Sequence, residues 1–152
     1  MADSPVPLIV RRHIRADRNK IFDAFASAET LTLWFTPSDE ISVDALEYDF
    51  VPMGRFRLRY LMPEGREAVV AGTFEKIESP GQIVLSWIWQ APDPLAGIPM
   101  TVTFRFLAKD TGTDVVIIHE GIPSDTACTV HEDGWDATLI RLVVFLEKET
   151  NQ

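Results

Sequence analysis

Between Thr129 and Glu149 the apolar residues Trp135, Leu139, Leu142, Val143 and Leu146 recur at the spacing of one stripe along a long helix. Such a stripe must be covered. Only the strand-rich middle of the chain has enough apolar surface for this, so the pattern predicts a curved sheet closing around one terminal helix. A shape of that kind leaves a cleft between its two layers, and the cleft is the expected seat of function.

The chain has 152 residues, 46% of them apolar and 24% charged, which suits one domain with a real core and is too short for two. We expect that domain over residues 6–149, with Met1 to Pro5 and Thr150 to Gln152 lacking fixed structure. No apolar run approaches the length of a membrane span, the longest being of the Leu142 to Leu146 kind. The start, Met-Ala-Asp-Ser-Pro, lacks the features of a secretory signal, and the single Cys128 has no internal disulfide partner. Both facts fit a cytoplasmic protein. A formal charge of -9 opposes nucleic acid and anionic lipid. Arg55, Arg57 and Arg59 alternate with Phe56, Leu58 and Tyr60, the signature of a strand with one wet face, so no nucleic-acid partner is expected.

Pro7 to Ile14 reads as a first strand. Asp17 offers an N-cap to a short helix carrying Ile21, Phe22 and Phe25, and a second helical piece, Ala28 to Phe35, ends before Pro37. Six strands follow: Ile41–Asp49, Gly54–Met62, Glu67–Ile77, Ile83–Gln90, Met100–Ala108 and Thr113–Gly121. Their short links, rich in Pro, Gly and Asp, favour an antiparallel meander. Gln90 to Pro99, with Pro92, Pro94, Gly97 and Pro99, makes a stiff loop at one rim. Thr129 with Glu132 has the form of a capping box and sets the expected start of the last helix. Gly134 costs about 1 kcal/mol relative to alanine inside a helix. It marks either a close approach of backbone to sheet or ligand, or tolerated wobble near a helix end.

This order of elements looks like the helix-grip, or START-like, architecture: a curved antiparallel sheet of about seven strands around a long C-terminal helix, an α+β fold. Further features sharpen the likeness: Trp34-Phe35, Gly54-Arg55-Phe56, Gly72 with Glu75-Lys76-Ile77, Ser79-Pro80, Val84-Leu85-Ser86-Trp87, Gly112-Thr113, His119-Glu120-Gly121 and His131-Glu132-Asp133-Gly134-Trp135 with Leu139 and Leu142. From about Val10 to Leu146 the chain resembles bacterial proteins similar to the C-terminal domain of the heat-shock protein 90 ATPase activator, a branch of the SRPBCC superfamily. The resemblance implies a fold and a cavity more than a reaction. Superfamily members include lipid and hormone carriers, polyketide cyclases and oxygenase subunits. It also brings in a chaperone as partner and a stress response as setting.

Little in the sequence announces chemistry. With only His13, His119, His131 and Cys128, no metal-site spacing occurs, and neither a nucleophile elbow around a serine such as Ser86 nor a glycine-rich phosphate loop is present. No metal, no cofactor and no catalytic residue is therefore assigned. Cys128 reads as a small buried hydrophobe, or else as a thiol near a helix start. Strand alternation puts Val115, Ile117 and His119 on one face, with His119 either a core histidine or an acid-base group in the cleft, and Glu120 turned to solvent. Aromatics from every layer, Trp89 among them, border the cleft. As ligand-binding residues we select Trp34, Phe56, Tyr60, Trp87, Phe104, His119, Trp135 and Leu139.

The leading expectation is a protein that holds a small hydrophobic, aromatic or amphipathic molecule between sheet and helix. Two others stay open: a cyclase, hydrolase or isomerase using His119 or Tyr60 on a polyketide-like substrate, and a chaperone-interacting module. An exposed strand edge leaves a homodimer open too.

Overall fold

The computed structural model describes residues 6–150, so Met1 to Pro5 and residues 151–152, at the ends expected to lack fixed structure, lie outside the described residues. Seven strands form one sheet: β1 (Leu8–Ile14), β2 (Ser42–Tyr48), β3 (Arg55–Leu61), β4 (Glu67–Glu78), β5 (Gln82–Trp89), β6 (Met100–Lys109) and β7 (Gly112–Glu120). Their order across the sheet is β1-β7-β6-β5-β4-β3-β2, and each neighbouring pair is antiparallel. The meander expected from the short links is thus present, with β1 added beside the last strand.

Period-two alternation explains which face is dry. Val10 on β1, Phe56 and Leu58 on β3, Ile83, Leu85 and Trp87 on β5, Val102, Phe104 and Phe106 on β6, and Val115, Ile117 and His119 on β7 are all buried. At Gly72 on β4 an added Cβ would stand 2.1 Å from the Ser86 carbonyl oxygen of β5. Only a residue without a side chain lets the two backbones approach so closely there.

Two short helices close one end. Asp17 caps α1 (Arg18–Asp23) by accepting the Asn19 N–H, and Ser27 caps α2 (Ala28–Leu31) by accepting that of Thr30. The helical stretch expected to reach Phe35 stops at Leu31 and continues as turns, with the N–H groups of Trp34 and Phe35 both donating to the Leu31 carbonyl. The aromatic plug is held in place: Trp34 Nε1–H donates to the Ala24 carbonyl at 3.1 Å, and Phe25 packs at 4.9–5.4 Å on Trp34, Phe104 and Phe106.

The last helix, α3 (Asp125–Thr150), lays Trp135, Leu139, Leu142 and Leu146 into the core, with Val143 half-buried beside them. Among the described residues no helix is long and apolar enough to cross a membrane. The start of α3 differs from the capping box at Thr129 and Glu132. Ser124 is the cap: its Oγ accepts the Ala127 N–H at 3.1 Å and its carbonyl accepts the Cys128 N–H at 2.9 Å. Thr129 instead turns its hydroxyl back to the Asp125 carbonyl, and Glu132 is exposed. Ser124 wins because it follows Pro123 directly, where no helix has yet begun, while the helical stripe already continues upstream through Ala127 and His131. The extra turn is the part of α3 that roofs the cleft described below.

Ser124→Ala is expected to lower stability by about 1 kcal/mol in urea unfolding, and Thr129→Ala to change it by no more than a few tenths. The reverse ranking would restore the later helix start.

Candidate functional site

Over its N-terminal half, α3 and the sheet separate around a cavity of about 590 Å³. Its walls come from the end of β3 (Tyr60, Met62), the start of β4 (Ala68), the end of β5 (Trp87, Trp89), the rim loop (Asp93, Pro94, Leu95), the stretch after α2 (Pro37, Ile41), and α3 with its cap. The space exists because side chains that could fill it are small. Ala68, Ala127 and Gly134 line it, and an added Cβ at Gly134 would meet nothing within 4 Å. Gly134 lies well inside the helix and borders open space, so of its readings neither wobble at a helix end nor a close approach to the sheet describes it, and an approach to a ligand stays open. The volume falls within the roughly 300–1,000 Å³ of small-molecule sites.

Two histidines and two tryptophans tie helix to sheet at the cavity's edge. Trp89 Nε1–H donates to His131 Nε2 at 3.1 Å, and His131 Nδ1–H donates to the Ala127 carbonyl at 2.8 Å, so both ring nitrogens of His131 are engaged. Trp135 Nε1–H donates to His119 Nδ1 at 3.0 Å. This assigns the His119 proton to Nε2, which is buried and has no partner in the protein. The two imidazoles stand 4.7 Å apart, nearly perpendicular. Burial, with the neighbouring His131 charge second, pushes the His119 pKa down to about 3. The imidazole is therefore neutral at physiological pH and a poor base. Burial also raises the pKa of the Tyr60 phenol, a change that weakens it as an acid.

Of the eight residues selected from sequence, the fold brings three to the cavity: Tyr60, Trp87 and Trp135, with Trp87 and Trp135 at 5.2 Å. His119 is fully buried behind Trp135. Trp34, Phe56, Phe104 and Leu139 are core residues away from the cavity wall. Phe56 and Phe104 instead border an apolar hollow of about 20 Å³ inside the core, space for about one water molecule. The periodicity that selects aromatics for a dry face cannot tell the filled part of that face from the empty part.

His131 and Asp93 border the cavity and were not among the selected residues. His131 stands four residues before Trp135 on the same stripe, but the apolar pattern read from the sequence begins only at Trp135. Asp93 lies on an irregular loop, where no period places a side chain. Among the described residues no three potential metal ligands cluster. His13 pairs with Asp114 at 2.8 Å and Thr111 at 3.0 Å, and Cys128 is half-buried against the core.

A curved antiparallel sheet gripping a long terminal helix, with short helices at one end, defines a protein of the helix-grip class. Residues 15–147 match the family described as Activator of Hsp90 ATPase homolog 1-like protein, and the chain belongs to that family. Solved structures repeat the fold. The crystal structure of an AHSA1 protein from Silicibacter pomeroyi superposes with a TM-score of 0.83 at 22% identity, covering 95% of this chain and 99% of that one. A solution structure of a protein from Arthrobacter aurescens gives 0.83 at 15% identity, over 94% and 87%. A crystal structure from Chromobacterium violaceum gives 0.79 at 20% identity, over 92% and 96%. No match is found among curated proteins.

The depressed pKa of His119 has a signed consequence. Between its unfolded value near 6.5 and about 3 the unfolded chain carries the extra proton, so stability falls as pH drops through that window. The slope approaches roughly 1.4 kcal/mol per pH unit. Urea midpoints between pH 6.5 and pH 5, where carboxylates stay mostly ionised, should show it, and His119→Gln should flatten the slope. An equal slope in both proteins would mean that His119 is solvated.

Proposed function

We propose that this protein binds a small hydrophobic or amphipathic molecule in the cavity between α3 and the ends of β3, β4 and β5. The observation that carries this reading is the cavity itself: about 590 Å³ beside Tyr60, Trp87, Trp89 and Trp135, far larger than the hollow of about 20 Å³ in the core. Large rigid rings present broad apolar contact at little entropic cost, and a pocket already open needs no rearrangement to admit a ligand.

The enzymatic alternative finds less support. A proton-transferring histidine needs a free nitrogen within reach of substrate and a pKa near neutrality. His131 has both nitrogens engaged, and His119 is sealed behind Trp135 with its pKa depressed. Carriage or sensing of a ligand needs neither group to titrate.

Gly134 offers the cleanest test because its side-chain direction is open. Gly134→Phe is expected to fill the cavity and weaken binding of an apolar fluorescent probe by about tenfold or more while the helical circular dichroism stays. Gly134→Ala should raise stability by about 1 kcal/mol and leave binding nearly unchanged. Mass spectrometry of protein purified without detergent should find a retained hydrophobic compound in the wild type and not in Gly134→Phe. Equal probe binding by both proteins would place the ligand elsewhere.

A further inference from the structure

Resting on that binding reading, we infer that the cavity selects an aromatic amphiphile with a cationic head, an amine, over one with a carboxylate head. The argument starts from the charges that line it. Asp93 is the one carboxylate among the described lining residues, and neither lysine nor arginine is among them. Asp93 is half-buried, and its Oδ1 accepts the Leu95 N–H at 2.8 Å, which orients the group while leaving it further acceptor capacity.

The two histidines beside the cavity offer no charge to an anion. His131 spends one nitrogen on the Trp89 N–H and the other on the Ala127 carbonyl. His119 stays neutral, because burial opposes its charge. Two N–H donors nearby lack partners, Trp87 Nε1 and His119 Nε2, but both atoms are closed off from solvent and so from the cavity. An entering carboxylate would lose hydration without gaining a counter-ion, in the field of a chain carrying -9.

A cation meets the opposite situation. The rings of Trp87, Trp89, Trp135 and Tyr60 border the space, with Tyr60 and Trp89 at 5.9 Å and Trp87 and Trp89 at 5.8 Å between centroids. Ring faces carry negative quadrupole density and attract ammonium groups, so the aromatic wall and Asp93 act in the same direction. The body of the ligand is accommodated by the same rings.

Three probes with one skeleton separate head from body: naphthylmethylamine, naphthylmethanol and naphthoate, titrated calorimetrically at neutral pH and low salt. The amine is expected to bind about tenfold more tightly than naphthoate, with the alcohol between them, and Asp93→Asn to narrow the gap between amine and alcohol. Naphthoate binding as tightly as the amine, or an amine-to-alcohol ratio unchanged in Asp93→Asn, overturns this inference and leaves the binding reading standing. Failure of all three to bind, in wild type and Gly134→Phe alike, overturns both.

Discussion

The contact between the buried stripe of α3 and the concave face of the sheet is the interaction on which the rest depends. Trp135, Leu139, Leu142 and Leu146 each lose nearly all their exposure there. A fully buried leucine or larger side chain is worth about 1.5–3 kcal/mol, so this one row supplies a large part of a marginal stability. The same contact divides the interior: along Leu139, Leu142 and Leu146 helix and sheet pack together, and where the stripe passes through Ala127 and Gly134 the layers part around a cavity.

That change in residue size along one helix separates filled core from open space within a single element. In the C-terminal half of α3 the stripe of Leu139, Leu142 and Leu146 is core. The N-terminal half, anchored by Ser124, is suspended across the cavity and tied to the sheet through polar links, Trp89 to His131 and Trp135 to His119. Indole N–H groups donating to imidazole nitrogens satisfy buried polar atoms without placing a charge in the interior. The pairs therefore hold the helix at a fixed distance from β5 and β7 and keep the cavity's dry side neutral. The histidines thus tie the helix to the sheet, and on the proposed reading the cavity is left to recognition.

Much of the architecture was legible from residue order. Alternation along β3, β5, β6 and β7 marked the buried face, including His119 among Val115 and Ile117, and proline and glycine marked the breaks. The cavity was legible only in part. Tyr60, Trp87 and Trp135 could be named because they lie on regular elements facing inward, but so do Trp34, Phe56, Phe104 and Leu139, which fill core. Facing inward is a local property. Facing a space that no other side chain occupies is not.

By itself the sequence determined the elements, the dry face of each strand, the apolar stripe of α3 and the resemblance to its family, because these follow from periods of two and 3.6 residues and from backbone chemistry within a few positions. Tertiary structure alone decided which inward side chains meet and which leave room between them. It joined Trp89 to His131 across 42 positions, brought the rim loop with Asp93 to the cavity, and turned the missing side chain of Gly134 into open volume. Volume is set by the sum of all neighbours, and no stretch of chain carries that sum.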